Sequence, residues 1–144
     1  MDRPRTIPLT PLDDSRTQAH LLARTDDTGI EWVVDAYGCN GQCLRDQACL
    51  ERVFCEAVHE LGLHPIAPAL FHQFAEPGGI TGMLMLSESH LTCHSFPERG
   101  YVAFNLFCCR SRPNWPWSEK LKLHIGAQEV KVRRLERLFG QEHL

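Results

Sequence analysis

Apolar and polar positions along this chain change their period several times, and each change marks an element. Ile30-Glu31-Trp32-Val33-Val34-Asp35-Ala36-Tyr37 is rich in β-branched and aromatic residues and stops at Gly38 and the turn pair Asn40-Gly41, which predicts a strand. Over residues 44–61, Leu50, Val53, Phe54, Ala57, Val58 and Leu61 recur at helical spacing, with Arg45, Asp46, Glu51, Arg52 and Glu56 on the other side and Gly62 as the stop. Residues 66–74 and 80–86 read as strands around Glu76-Pro77-Gly78-Gly79 and predict a hairpin. A second pair, 91–96 and 101–109, flanks Pro97-Glu98-Arg99-Gly100. After Pro113 and Pro116, residues 117–125 suit a short helix and 129–135 a last strand. The order β-α-β-β then β-β-α-β predicts an α/β (α+β) two-layer sandwich, a mainly antiparallel sheet with helices on one face.

Composition narrows the class. A chain of 144 residues with 43% hydrophobic content can bury one core without metal or disulfide staples. Residues 1–28, with Pro4, Pro8 and Pro11 and no sustained period, read as a flexible extension ahead of a single domain over 29–144. The net charge of -3 comes from interspersed acids and bases, which argues against a nucleic-acid partner. No apolar run has the length of a membrane span and residues 1–28 lack a signal-peptide core, so the expected location is the cytoplasm. The seven cysteines are odd in number and show no Cys-x-x-Cys pair, so reduced thiols are expected. His90 and His94 are four apart, but in a strand pattern, and no metal is expected.

Leu86-Ser87-Glu88-Ser89-His90-Leu91-Thr92-Cys93-His94-Ser95-Phe96-Pro97-Glu98 places hydroxyls, two imidazoles and a carboxylate around a strand-to-strand junction. This stretch resembles the processing motif of the short prokaryotic S-adenosylmethionine decarboxylases. The resemblance spans roughly residues 30–135 and includes Phe71-His72-Gln73-Phe74, Gly79-Ile80-Thr81-Gly82 and the segment up to Cys109.

The resemblance implies a proenzyme that cuts itself between Glu88 and Ser89, turning Ser89 into a pyruvoyl cofactor. Chemically, the Ser89 hydroxyl attacks the Glu88 carbonyl, an ester replaces the amide, and β-elimination and hydrolysis leave the pyruvoyl group. His94 then matches the processing histidine, and Thr81 stands where the family usually has a serine. Schiff-base chemistry on S-adenosylmethionine would release carbon dioxide and supply aminopropyl groups for spermidine and other polyamines. Cys109 matches the acid that returns a proton to the substrate. Phe74 matches a ring stacked on adenine, Glu98 a ribose-binding carboxylate and Asp35 an acidic position on the first strand. Short members of the family are dimers with sites at the subunit interface, so a homodimer is expected.

Four departures lie near the motif. The family reads Asp-x-Phe-Thr-Cys-Gly where this chain has Asn105-Leu106-Phe107-Cys108-Cys109-Arg110, and Phe96 replaces a usual Trp. They keep open a pyruvoyl-dependent ornithine or arginine decarboxylase. A non-processing regulatory paralogue is the alternative outside enzymes, and its signature would be loss of Ser89 or His94; both are present.

Overall fold

A computed structural model describes residues 28–140. Six strands, β1 (Thr28–Tyr37), β2 (Leu70–Gln73), β3 (Ile80–Leu86), β4 (Ser89–Phe96), β5 (Tyr101–Cys108) and β6 (Glu129–Leu138), form one sheet in the order β2-β3-β4-β5-β1-β6. Every neighbouring pair is antiparallel. Three α-helices lie among the described residues, α1 (Gly41–Leu44), α2 (Gln47–Leu61) and α3 (Trp117–Ile125).

Period-two alternation decides which face of the sheet the helices cover. Trp32, Val34 and Ala36 of β1, Leu91 and Cys93 of β4, and Val102, Phe104, Leu106 and Cys108 of β5 are buried with Leu50, Val53, Phe54 and Ala57 of α2 and Trp117, Leu121 and Ile125 of α3. Burial pushes the Cys93 and Cys108 thiols up to about 12, which suits packing rather than chemistry. The alternate residues of the same strands lie on a second, open face that no helix among the described residues covers. Among the described residues, no helix is long and apolar enough to cross a membrane.

Several predicted boundaries need correction. The helix expected over residues 44–61 is two, because Asp46 takes an extended conformation and caps α2 through its carboxylate on Ala48 N–H at 3.0 Å. Asn40 caps α1 in the same way. Gly62, at φ 61°, ends α2 as expected. Of residues 66–74 only Leu70–Gln73 pair, β4 starts at Ser89 instead of Leu91, β5 ends at Cys108, and β6 runs on to Leu138. The expected extension falls, but for Thr28, outside the described residues.

One buried polar side chain ties the layers together. The Ser95 hydroxyl accepts from Ile80 N–H at 2.9 Å and donates to Leu44 C=O at 2.7 Å, so it links β3, β4 and α1. Ser95→Ala leaves both backbone groups without that partner and should cost about 1–3 kcal/mol. Urea unfolding would show it as a lower midpoint at unchanged slope; an unchanged midpoint would mean that water replaces the hydroxyl.

Candidate active site at the β3–β4 hairpin

Leu86 and Ser89 are paired, so only Ser87 and Glu88 make the turn. Two-residue hairpins ask for positive φ, normally from Gly or Asn. Here no such residue is present, and Ser89 sits at φ 152°, the one positive-φ non-glycine among the described residues. Such a conformation stores roughly 1–3 kcal/mol of strain and persists only where surrounding contacts hold it.

Those contacts converge on one peptide bond. Ser89 lies opposite Cys108 at the end of β5, and the next residue, Cys109, donates its N–H to the Glu88 carbonyl at 2.8 Å. The carbonyl that precedes the Ser89 hydroxyl is thus already polarised by a backbone donor. The Ser89 Oγ is 2.9 Å from His90 Nδ1, an acceptor for its proton when that nitrogen is unprotonated.

The Glu88 side chain turns inward and is only 4% exposed. His64 N–H donates to Oε1 at 2.8 Å, His64 Nδ1 lies 2.9 Å from the same oxygen, Arg112 Nη2 is 3.2 Å from it, and Ser87 Oγ donates to Oε2 at 2.7 Å. Burial works against ionisation, but the donors of Ser87 and His64 outweigh it and hold the carboxyl below its usual range. A carboxyl depressed in the folded state stabilises fully above its unfolded value of about 4.3 and loses that contribution as pH falls through the folded value. In chains that also carry Ser89→Ala, so that none is cut, the urea midpoint should therefore drop more steeply below about pH 4 with Glu88 than with Glu88→Gln; parallel curves would remove Glu88 from the acid transition.

A second cluster occupies the other end of the open face. Thr81 pairs with His94 across β3 and β4, and Thr81 Oγ1 is 2.7 Å from His94 Nδ1. The His94 ring is 5.8 Å from Phe74 and 4.6 Å from Phe96, and Phe96 stacks on Tyr101. Phe74 is 48% exposed, which is no core position. Asp35 falls in the same row of the sheet, opposite Ala103, which in turn faces His94. Its carboxylate accepts from Tyr101 Oη at 2.6 Å and pairs with Arg133 at 3.4 Å, and this hydrogen bond, with burial, raises Tyr101 to about 12. Glu98 is in the 3₁₀ turn Pro97–Arg99 at that end, exposed, with Arg99 Nε 4.0 Å away.

The sequence-predicted residues therefore fall into two groups. Glu88, Ser89 and Cys109 are together; Thr81, His94, Phe74, Asp35 and Glu98 lie toward the opposite end. Ser89 and His94 are five residues apart on one strand, about 16 Å at strand rise. His64, Arg112 and His90 contact the Glu88–Ser89 segment without being legible there in the sequence: His64 and Arg112 approach Glu88 only through folding, and the spacing of His90 suggests only a metal ligand. Of the departures, Cys108 is buried on the helix side, Asn105 faces Val33 and Thr92 half-buried, and Arg110 has a buried Nη2 without a hydrogen-bond partner among the described residues.

Comparison with known proteins adds to this picture. The family model described as S-adenosylmethionine decarboxylase matches residues 30–138. The chain is 36% identical over 113 residues to the S-adenosylmethionine decarboxylase proenzyme of Clostridium tetani, covering 74% of this chain and 87% of that one. It is 39% identical over 117 residues to S-adenosylmethionine decarboxylase proenzyme 2 of Halalkalibacterium halodurans, covering 80% and 90%. The crystal structure of the adenosylmethionine decarboxylase from Aquifex aeolicus superposes with a TM-score of 0.67 at 21% identity, over 83% of this chain and 98% of that one, a likeness of fold.

Proposed function

Because the chain belongs to the S-adenosylmethionine decarboxylase family, we propose that it is a pyruvoyl-dependent S-adenosylmethionine decarboxylase made as a proenzyme and self-cleaved between Glu88 and Ser89. The observation that carries this reading is the cut site itself: a strained Ser89, its hydroxyl against His90, and the Cys109 N–H on the carbonyl to be attacked.

Cleavage follows from these groups. Ser89 Oγ adds to the Glu88 carbonyl carbon while His90 Nδ1 takes its proton, and the Cys109 N–H stabilises the oxyanion. The C–N bond breaks, the nitrogen of Ser89 receives a proton, and an ester is left. A base removes the Ser89 α-proton, the Cβ–O bond breaks, and Glu88 departs as a carboxylate. Water then replaces the nitrogen, ammonia leaves, and the second fragment begins with the pyruvoyl group. That group supplies an electron sink for the carbanion formed as carbon dioxide leaves an amino acid. Cys109, half-buried beside the cut, is the acid that returns a proton.

The remaining residues reach this chemistry from a second copy. His94 and Thr81 are too far along β4 and β3 to act on Ser89 of the same chain, and the open face carries exposed Leu70, Phe74, Met83 and Met85, the last two more than half exposed. A two-fold axis between two open faces lays the Thr81–His94 end of one protomer over the Ser89 end of its partner. In that homodimer Phe74, Glu98 and Asp35 complete the pocket for the adenine, the ribose and the cationic end of the substrate. The reading places the enzyme in the cytoplasm, supplying aminopropyl donors for polyamines.

Carbon dioxide release from labelled S-adenosylmethionine, ornithine and arginine, measured in parallel on the cleaved protein, tests it. Release from S-adenosylmethionine alone is expected. Release from ornithine or arginine instead would keep the cleavage and reassign the pocket, and an uncleaved, inactive chain would point to the regulatory paralogue.

A further inference from the structure

Glu88 has contacts that the cleavage chemistry does not use: we infer that His64, Ser87 and Arg112 clamp its carboxylate and so position the scissile carbonyl, making them positioning residues for self-cleavage. This rests on the reading above, that the chain cuts itself before Ser89.

The placement is unusual for a turn. A glutamate at the tip of a two-residue hairpin ordinarily points to water, where its charge is fully solvated. Here Glu88 is the one charged residue buried among the described residues, and four donors from three residues surround it. Burial of a carboxylate is costly without such partners.

The partners come from two separate pieces of chain. His64 precedes β2 and is tied to the hairpin a second time, because Ser87 N–H donates to the His64 carbonyl at 2.8 Å. Arg112 follows β5, three residues after the Cys109 whose N–H holds the Glu88 carbonyl. Glu88 is therefore fixed at both ends: its carbonyl by Cys109, its carboxylate by His64, Ser87 and Arg112. The peptide plane between them loses the rotation by which a hairpin tip would swing the carbonyl away from Ser89 Oγ.

Geometry of this kind has large kinetic weight. Misplacing a reacting atom by about 1 Å costs on the order of 100-fold in rate. The clamp acts where the ester forms, since that step needs the carbonyl in line with the hydroxyl. It has no part in the elimination, in which the Glu88 group merely departs.

The test follows cleavage by intact mass from the moment of cell-free synthesis, in the full chain, for wild type, Glu88→Gln, Ser87→Ala, Arg112→Met and Arg112→Lys, each with and without hydroxylamine. Hydroxylamine cuts any ester that has formed and so reports the first step alone. Arg112→Met and Glu88→Gln are expected to cleave roughly tenfold more slowly or worse, with hydroxylamine giving no recovery, and Arg112→Lys to stay within about threefold of wild type. Folded variants that cleave at the wild-type rate overturn the clamp. So does recovery of the wild-type rate by hydroxylamine, which would put the block after the ester. Should the charge variants fail to fold, Ser87→Ala decides: it leaves no unpaired cation, and a cooperative melt with a wild-type cleavage rate overturns the proposal, whereas a slower cut at an unchanged melt supports it. A wild-type chain that never cleaves removes the underlying reading instead.

Discussion

A chain carrying Ser89→Ala stays whole, one species of 144 residues under conditions that convert the wild type into fragments 1–88 and 89–144, and it releases no carbon dioxide from S-adenosylmethionine. The effect is large because one hydroxyl serves twice. It is the nucleophile that opens the Glu88–Ser89 bond, and its departure as the ester oxygen is what makes Ser89 the pyruvoyl carbon skeleton. Alanine provides neither, and the loss of turnover is expected to be on the order of 10⁶-fold or more. The backbone contacts at the site, Cys109 N–H to Glu88 C=O among them, do not need the hydroxyl, so Ser89→Ala should melt as cooperatively as the uncut wild type. Turnover by the intact Ser89→Ala chain would remove the pyruvoyl chemistry altogether.

The second large effect is a rescue. His94→Ala alone and Ser89→Ala alone should each be uncleaved, yet the two chains made together should recover about a quarter of wild-type activity, the share expected from random pairing with one competent site per mixed dimer. Mass also tells which chain is cut: it is the one carrying His94→Ala, because its own Ser89 faces the intact His94 of its partner. The reason is the separation along β4, about 16 Å between the two residues of one protomer. Absence of any rescue would mean that the two ends meet within one chain, and the two-fold stacking of open faces would have to be given up.

The strands and helices were legible where burial is one-sided. Residues 30–37 and 101–108 alternate cleanly because one face of each meets the helices, and 117–125 places Trp117, Leu121 and Ile125 on one side. The split before Gln47 was hidden because the helical period runs through it; only the capping geometry shows that one helix ends at Leu44 and that Asp46 starts another. Residues 66–69 are as apolar as a strand but make no ladder: after a single bridge from Pro65 to Leu86, continuous pairing with β3 starts at Leu70. The motif singles out Ser89 and Glu88 as candidates. It could not identify His64 and Arg112, which lie 24 residues on either side of Glu88 and meet it only in the folded chain. The division of the site was, by contrast, latent in the numbering, because five positions on a strand cannot converge on one reacting atom.

With the proposed cut between Glu88 and Ser89, the order of strands has a further outcome. β1, β2 and β3 belong to the first fragment and β4, β5 and β6 to the second, but in the sheet β1 lies between β5 and β6. Separation requires three ladders to open, β3–β4, β5–β1 and β1–β6, so the nicked molecule holds together with no covalent link. Before the cut, refolding of each protomer is an event within one chain, and only the pairing of protomers depends on dilution. Afterwards two molecules must find each other and thread one strand between two others, at the cost of the loop closure that the Glu88–Ser89 bond had provided. The midpoint of thermal unfolding gains a further concentration dependence, on the two fragments, and an unfolded cleaved enzyme has no route back to its precursor. The proposed cut would thereby convert a fold that can recover from unfolding into one that persists chiefly by not unfolding.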